Sequence, residues 1–512
     1  MGLQIRPLFF LIWCINLGLA QIAVLDGHTT SGKFGYALTG EIDFNNDGFN
    51  DVVVGEPGWS KVYLYFGSSS FDTTPDLIFL GIPGTQFGNS LASLGDISGD
   101  GVDDLAIGAP RDNAGGTNAG RVYMHFGSVN PDTIPDLILT GQIRSGRFGT
   151  SISGGYDVNR DGGMDILVGA PGDCKAFLFL GGDSLDTIPD LTLHDGNGDY
   201  YGLAVALLGD VNGDTFGDIL VGDYRHTGSI LHGGGCFLYF GGNPPDPNVD
   251  ITWEGDEQNR QLGISVAALG DLNGDGLNDI GLGASMTNKI HIHFGSQNIG
   301  QPPDIVLQGN DWFGCWIAGQ CDINNDGYDD LMVGADGDNY GTPYGPGYAY
   351  LFLGGNPMNT VPDTILVGEA EGDMFGSCVS FCGDINGDQY REFCIGAPGH
   401  DSRGLNAGRV YIYNTLYTRI ADSFVKTNQE PIFNIIPGTI VNARHQIAID
   451  CLGLENSNGQ LKIIDVMGRT VFSENIRHQP SVIFLPNLPA GVYSIILQNQ
   501  SNNKKQNFIL IR

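Results

Sequence analysis

Phe87–Pro110 reads FGNSLASLGDISGDGVDDLAIGAP, and this stretch decides the fold because it is one of seven related phrases. Its siblings include FGYALTGEIDFNNDGFNDVVVGEP from Phe34 and FGTSISGGYDVNRDGGMDILVGAP from Phe148. The acidic centres of the seven begin at Asp43, Asp96, Asp157, Asp210, Asp271, Asp322 and Asp384, at intervals of 53, 61, 53, 61, 51 and 62 residues. A period averaging about 57 residues lies at the long end for solenoid or propeller units.

Each unit holds four strand-like runs. The first follows Phe-Gly, and the second, such as Asp104–Gly108, is an apolar run suited to a strand covered on both faces. The third alternates, as in RVYMHFG from Arg121 and KIHIHFG from Lys289, and the fourth opens on Pro, as in PDLIFLG from Pro75. Runs one to three occur seven times, but the fourth occurs six times after a repeat and once before the first, at Ile22–Gly27. That orphan strand can complete the last unit and close a ring, which leaves no long free edge. The expectation is an all-β chain: a seven-bladed β-propeller over residues 21–416, followed by a small C-terminal β-sandwich.

Composition agrees with this reading. Gly supplies 79 of 512 residues and charged residues only 16 %, which disfavours long helices. With 24 Lys plus Arg against 58 Asp plus Glu, the formal charge of -34 repels phosphate backbones, so nucleic acid is excluded as a partner. A hydrophobic share of 41 %, with 10 % aromatic, is enough for a real core, so the acidity does not signal disorder.

Between runs one and two each repeat carries D-x-[DNS]-x-D-x-x-x-[DE]. Oxygen ligands at alternate positions, with Gly at the bend, are what Ca²⁺ requires. The expected ligand sets, with a main-chain carbonyl at position seven, are Asp43, Asn45, Asp47, Phe49 and Asp51; Asp96, Ser98, Asp100, Val102 and Asp104; Asp157, Asn159, Asp161, Gly163 and Asp165; and Asp210, Asn212, Asp214, Phe216 and Asp218. The remaining three are Asp271, Asn273, Asp275, Leu277 and Asp279; Asp322, Asn324, Asp326, Tyr328 and Asp330; and Asp384, Asn386, Asp388, Tyr390 and Glu392. Ser98, the sixth-position Thr215 and Gln389, and Glu392 depart from the pattern, so those three loops are expected to bind most weakly. An EF-hand is excluded, because position twelve is Val54, Ile107, Val168, Val221, Leu282, Val333 or Ile395 where that motif needs a bidentate Glu. Turn propensity alone would explain one such loop. Seven loops that each crowd three carboxylates need a cation to offset their repulsion, so up to seven Ca²⁺ are expected.

The Phe-Gly start, acidic loop and Gly-Ala-Pro finish (Gly108–Pro110, Gly169–Pro171, Gly396–Pro398) resemble the FG-GAP repeats of the integrin alpha-chain propeller. The resemblance implies a calcium-bearing propeller that binds extracellular proteins or glycans. Degenerate endings at Glu56, Asp223-Tyr224, Ser285 and Asp336, and the lack of integrin leg domains and membrane span, mark a relative of that propeller rather than an integrin subunit.

The two ends read differently. Residues 1–20 have the form of an export signal, with Arg6 before the apolar run Leu8–Leu19 and a cut expected before Gln21. Of nine cysteines, eight follow that cut, irregularly spaced, and read as small buried filler rather than as a disulfide framework. Residues 430–512 hold 7 Lys plus Arg and 5 Asp plus Glu, a positive balance in an acidic chain. The phrases IIDVMGRTVF and LPNLPAGVYSIIL resemble the C-terminal sorting domain of the bacterial type IX secretion system. That resemblance assigns residues 417–434 to a linker and 435–512 to the sorting domain. It implies the secretion machinery as a partner and a location outside the cell, released or attached to its surface.

Strand alternation puts the acidic loops on one end of the ring and the longer loops Arg111–Ala119, Tyr224–Gly235, Asp336–Gly347 and Gly399–Ala407 on the other. Rigid scaffolds present binding residues on such loops. Arg111, Tyr224, Arg225, His226, Tyr340, Tyr344 and Arg403 are the candidates for an extracellular protein or glycan. The expected activity is adhesion, without catalysis; the alternative is a propeller hydrolase or lyase acting on polysaccharide through central carboxylates. His125 and His293 sit where other repeats carry Tyr65, Phe179, Tyr239 and Phe352, so they read as packing residues and not as metal ligands.

Overall fold

The computed structural model describes residues 18–182, 185–194, 200–255, 261–300, 302–337 and 345–416, and seven C-terminal strands. It divides into two compact units, Met1–Tyr417 and Thr418–Arg512. The first unit contains seven four-stranded antiparallel sheets. In blade one the order is Leu38–Ile42, Asp51–Glu56, Lys61–Tyr65 and Leu77–Leu80, and the next five blades repeat this simple meander.

Blade seven is assembled from both ends of the unit. Cys378–Gly383, Glu392–Ala397 and Arg409–Leu416 supply three strands, and Gly18–Asp26 supplies the fourth. Gln21 pairs with Tyr413 and Asp26 with Arg409, so the strand that the sequence left over closes the ring, and it extends three residues upstream of Gln21. The Arg409 guanidinium donates to Asp26 at 2.8 Å, tying the two ends together.

The repeat signature has a packing reason. In all seven blades the Gly of Phe-Gly donates its N–H to the Gly that begins the Gly-Ala-Pro element, as in Gly35 to Gly55 and Gly88 to Gly108. A Cβ on that second Gly would overlap the carbonyl oxygen of the next blade's Phe-Gly glycine. Gly55 meets Gly88, Gly108 meets Gly149, and Gly396 meets Gly35 across the closure. The preceding aromatic, such as Phe34 or Phe375, is buried between blades.

Second strands such as Leu105–Ala109 and Asp165–Ala170 are buried along their whole length, as their apolar sequences require. Their side chains form cores between neighbours: Ile42, Phe44 and Val53 of blade one pack with Leu105 and Ile107 of blade two. Leu25, Val52, Cys394 and Val410 knit blade seven to blade one. His125 and His293 occupy the aromatic slot, 4.7 Å from the Phe79 ring and 4.6 Å from the Trp253 ring. The seven described cysteines are free thiols, five of them buried; Cys451 lies outside the described residues.

In the second unit, Asn434–Ile436, Ala448–Asp450 and Val482–Phe484 form one antiparallel sheet. Thr470–Ile476, Gly459–Asp465, Gly491–Asn499 and Asn503–Leu510 form another. Among the described residues no helix is long and apolar enough to cross a membrane.

Candidate cation loops and binding face

The acidic loops share one hydrogen-bonding plan. The first Asp accepts main-chain N–H groups from positions five and six in every blade; Asp43 receives Asp47 at 3.0 Å and Gly48 at 2.9 Å. Position five accepts the N–H of position seven, as Asp47 does from Phe49 at 3.0 Å. In five loops the position-three Asn also donates to position five, at 2.9 Å for Asn45 to Asp47 and 3.0 Å for Asn273 to Asp275. In the seventh loop Asn386 turns to Glu392 and Asn414 donates to Asp388 instead.

Position six adopts the left-handed conformation that favours glycine, with φ of 90° at Gly48. Thr215 and Gln389 hold the same turn at φ of 78° and 71° and keep its 2.8 Å bond to the first Asp.

Position nine has a role that spacing did not reveal. Asp51 is fully buried, and its two oxygens accept the N–H of Phe44 at 3.0 Å and of Gly67 at 2.8 Å. Asp165 does the same for Val158 and Gly181, and Asp279 for Leu272 and Gly295. This acid fastens the loop to the exit of the third strand of its own blade. Positions one, three and five are therefore the more exposed oxygen groups.

Electrostatics set the ninth acid apart. Burial pushes Asp51 and Asp330 up to about 8, Asp165, Asp218 and Asp279 to about 7, and Glu392 to about 8. The main-chain donors pull the other way, and the neighbouring loop acids add to the rise. Asp104 rises less, to about 6, where Ser98 also donates to it. Among the described residues none of the twenty-one loop acids forms an ion pair with Lys or Arg. Nor do three or more His, Cys, Asp or Glu side chains converge as a ready metal cluster.

Adjacent loops are joined. The N–H of position eight bonds the position-one carbonyl of the preceding blade: Asn278 to Asp210 at 3.0 Å, Asp329 to Asp271 at 3.0 Å, and Asn50 to Asp384 at 3.2 Å. Three side chains return the bond, Asp103 to the N–H of Asp43 at 2.9 Å, Asp329 to Asp271 at 2.8 Å, and Asn50 to Asp384 at 3.1 Å.

On the long-loop face, Arg111 and Arg225 are exposed, and Arg403 is ion-paired to Asp26 at 3.7 Å. The Arg225 guanidinium lies over the Tyr224 ring at 5.6 Å and the Tyr200 ring at 5.0 Å. Tyr200 was not among the sequence candidates, since it precedes a first strand and carries no motif. His226, expected on the loop surface, is instead buried edge-on against Phe237, because its loop folds back over the blade. Tyr340 and Tyr344 lie outside the described residues. The first strands of all seven blades surround an axial cavity of about 480 Å³.

Comparison with known proteins agrees with the repeat structure. A family profile described as FG-GAP repeat matches residues 34–70, 87–124, 148–176 and 316–352. A second, described as a secretion system C-terminal sorting domain, matches residues 442–512. Integrin alpha-5 of Xenopus laevis is 34 % identical over 181 residues, covering 32 % of this chain and 17 % of that protein. Integrin alpha-7 of Rattus norvegicus is 38 % identical over 167 residues, covering 30 % and 14 %. Integrin alpha-6 of Homo sapiens is 32 % identical over 160 residues, covering 29 % and 14 %. The chain thus spans less than a fifth of the length of these relatives. It carries FG-GAP repeats homologous to those of integrin alpha chains and a C-terminal sorting domain, which directs it through type IX secretion to the cell surface or beyond.

Proposed function

We propose that this exported FG-GAP propeller is a calcium-stiffened binding module, which presents its long-loop face to an extracellular protein or glycan and carries out no catalysis. The observation that carries the reading is the set of twenty-one loop acids without a basic partner among the described residues. Such a concentration of carboxylates calls for a cation, and the donor chemistry suits a hard one. In loops one, three and six the oxygens of positions one, three and five each use one lone pair on the main chain or a neighbouring amide and keep another free. In loops two, four, five and seven one oxygen of the first Asp accepts two or three donors, and the other accepts one and keeps a lone pair free. Asp43, Asn45 and Asp47, with their counterparts in the other blades, would hold Ca²⁺, while Asp51 and its counterparts secure the loop from behind. Bound calcium would supply charge neutralisation and rigidity.

A stiff ring suits recognition because it holds the loops at its opposite end without an ordering cost on binding. The exposed Arg111 and the Tyr200–Arg225–Tyr224 stack are the contacts that such a partner would meet first. Aromatic and Arg side chains dominate binding energy at protein surfaces. Screening the full mature chain against glycan and extracellular-matrix protein arrays in millimolar Ca²⁺ tests this. A specific ligand whose affinity falls at least tenfold on Arg225→Ala is the expected result; release of products from polysaccharides with no stable binding would favour a hydrolase or lyase instead.

A further inference from the structure

The axial cavity has an asymmetric, polar end that the repeat does not account for. It is bounded by first strands from all seven blades, and its volume of about 480 Å³ falls within the usual range for small-molecule sites. At the end nearest the acidic loops each first strand carries a residue with left-handed backbone. Five are glycine, Gly95, Gly155, Gly209, Gly270 and Gly383. The other two are Glu41, at φ 53°, and Gln320, at φ 70°, and both line the cavity. Side chains are disfavoured in this conformation, so their presence in blades one and six needs a reason.

Blade seven, which lies between those two, contributes Arg391 at position eight, where blades one and five have Asn50 and Asn278. Arg391 donates to the Cys321 sulfur at 3.7 Å and lies 3.9 Å from the Glu41 carboxylate, too long for a good hydrogen bond to oxygen. The pair is also partly exposed, at 41 % and 34 %, so as a surface ion pair it adds little stability. Tyr156 lines the same end of the cavity. Among the described residues, no hydrogen bond engages the Tyr156 hydroxyl or the Gln320 amide.

We propose that Glu41, Tyr156, Gln320 and Arg391 form a binding site for one neutral sugar residue, entering the cavity from the acidic-loop end. The group combines a carboxylate acceptor, a guanidinium donor, and an amide and a phenol that can each give and take a hydrogen bond. Asp103 also lines the cavity, and Arg391 reaches Glu41 from outside the lining, so this end keeps a negative balance; its complement is a neutral ligand whose hydroxyls donate to the carboxylates and accept from the guanidinium and the amide. Anions are repelled by a chain of net charge -34, and the Arg391 guanidinium beside Glu41 disfavours a metal ion there. An axial opening admits a chain end or a free monosaccharide, and not the middle of a polymer. This site is separate from the long-loop face and does not depend on that face binding anything.

Saturation-transfer NMR on the full mature chain, with D-glucose, D-galactose, D-mannose and L-fucose as probes, tests the proposal. Two variants take their replacements from other blades: Glu41→Gly removes the carboxylate where glycine is conformationally preferred, and Arg391→Asn restores the residue of blades one and five. The expected result is transfer to at least one sugar, reduced at least fivefold in one or both variants, with the melting temperature of Glu41→Gly at or above that of the native chain. No transfer to any of the four sugars, or transfer undiminished in both variants, overturns it.

Discussion

Asp47 and Asp51 stand four residues apart in one loop and do different work. Asp51 and its counterparts bond two buried main-chain N–H groups, so removing one leaves both donors unsatisfied at about 1–3 kcal/mol each. In blade three, Asp165→Ala is expected to destabilise by about 2–6 kcal/mol whether or not calcium is present. Asp161→Ala should matter chiefly when calcium is bound; denaturant titrations with and without chelator separate the two. Buried histidine is the second residue-scale case. Burial lowers His125 and His293 to about 4 from the ordinary 6.5, against the opposing pull of Asp136 and Asp304, while His291 lowers His293 further. The unfolded chain then binds more protons between those values, so their contribution to stability is lost as pH falls from 6.5 through 4. His293→Phe should raise the melting temperature at pH 4.5 relative to the native chain by more than it does at pH 7.5. Equal shifts at the two pH values would contradict this.

The blade is the unit at the scale of elements, and glycine contacts govern how blades meet. The seven Gly-to-Gly hydrogen bonds and the seven positions where a Cβ would strike the next blade's carbonyl explain why Phe-Gly and Gly-Ala-Pro recur. Gly396 makes this contact with Gly35 at the one junction formed by the two ends of the propeller unit. Gly396→Ala must part blades seven and one, and overpacking of this kind costs about 1–3 kcal/mol. A thermal melt should show a drop of several degrees, while the same change at the exposed Gly48 is disfavoured by its φ of 90° alone and should cost less.

Charge is the property of the whole molecule. The ninth-position acids have folded values of about 6 to 8, above the ordinary carboxylate range, so the metal-free fold binds more protons than the unfolded chain between about pH 4 and 8. Stability of the chelated protein should therefore fall as pH rises through that window, opposing the smaller gain from the two histidines. Bound calcium should remove that fall, so the melting-temperature gap between calcium-loaded and chelated protein widens from pH 5 to pH 8. Calorimetry in EDTA and in millimolar CaCl₂ measures it, and a gap that is absent at both pH values would remove calcium from the account.

The architecture was legible in the chain itself because a repeated unit reports its own geometry. Seven copies of Phe87–Pro110, four runs in each, and an unpaired strand before the first copy leave few closed arrangements besides a seven-bladed ring. Turn and strand formation are local, and periodicity exposes them. Contacts between copies are not local. That Asp51 fastens main-chain donors seven and sixteen residues away, that His226 folds inward and that Tyr200 meets Arg225 depended on how each blade packs. That Glu41 and Arg391 face each other from the first and last repeats depended on ring closure. Closure brings residues 350 positions apart in sequence within ion-pair distance, and no spacing along the chain encodes such a distance.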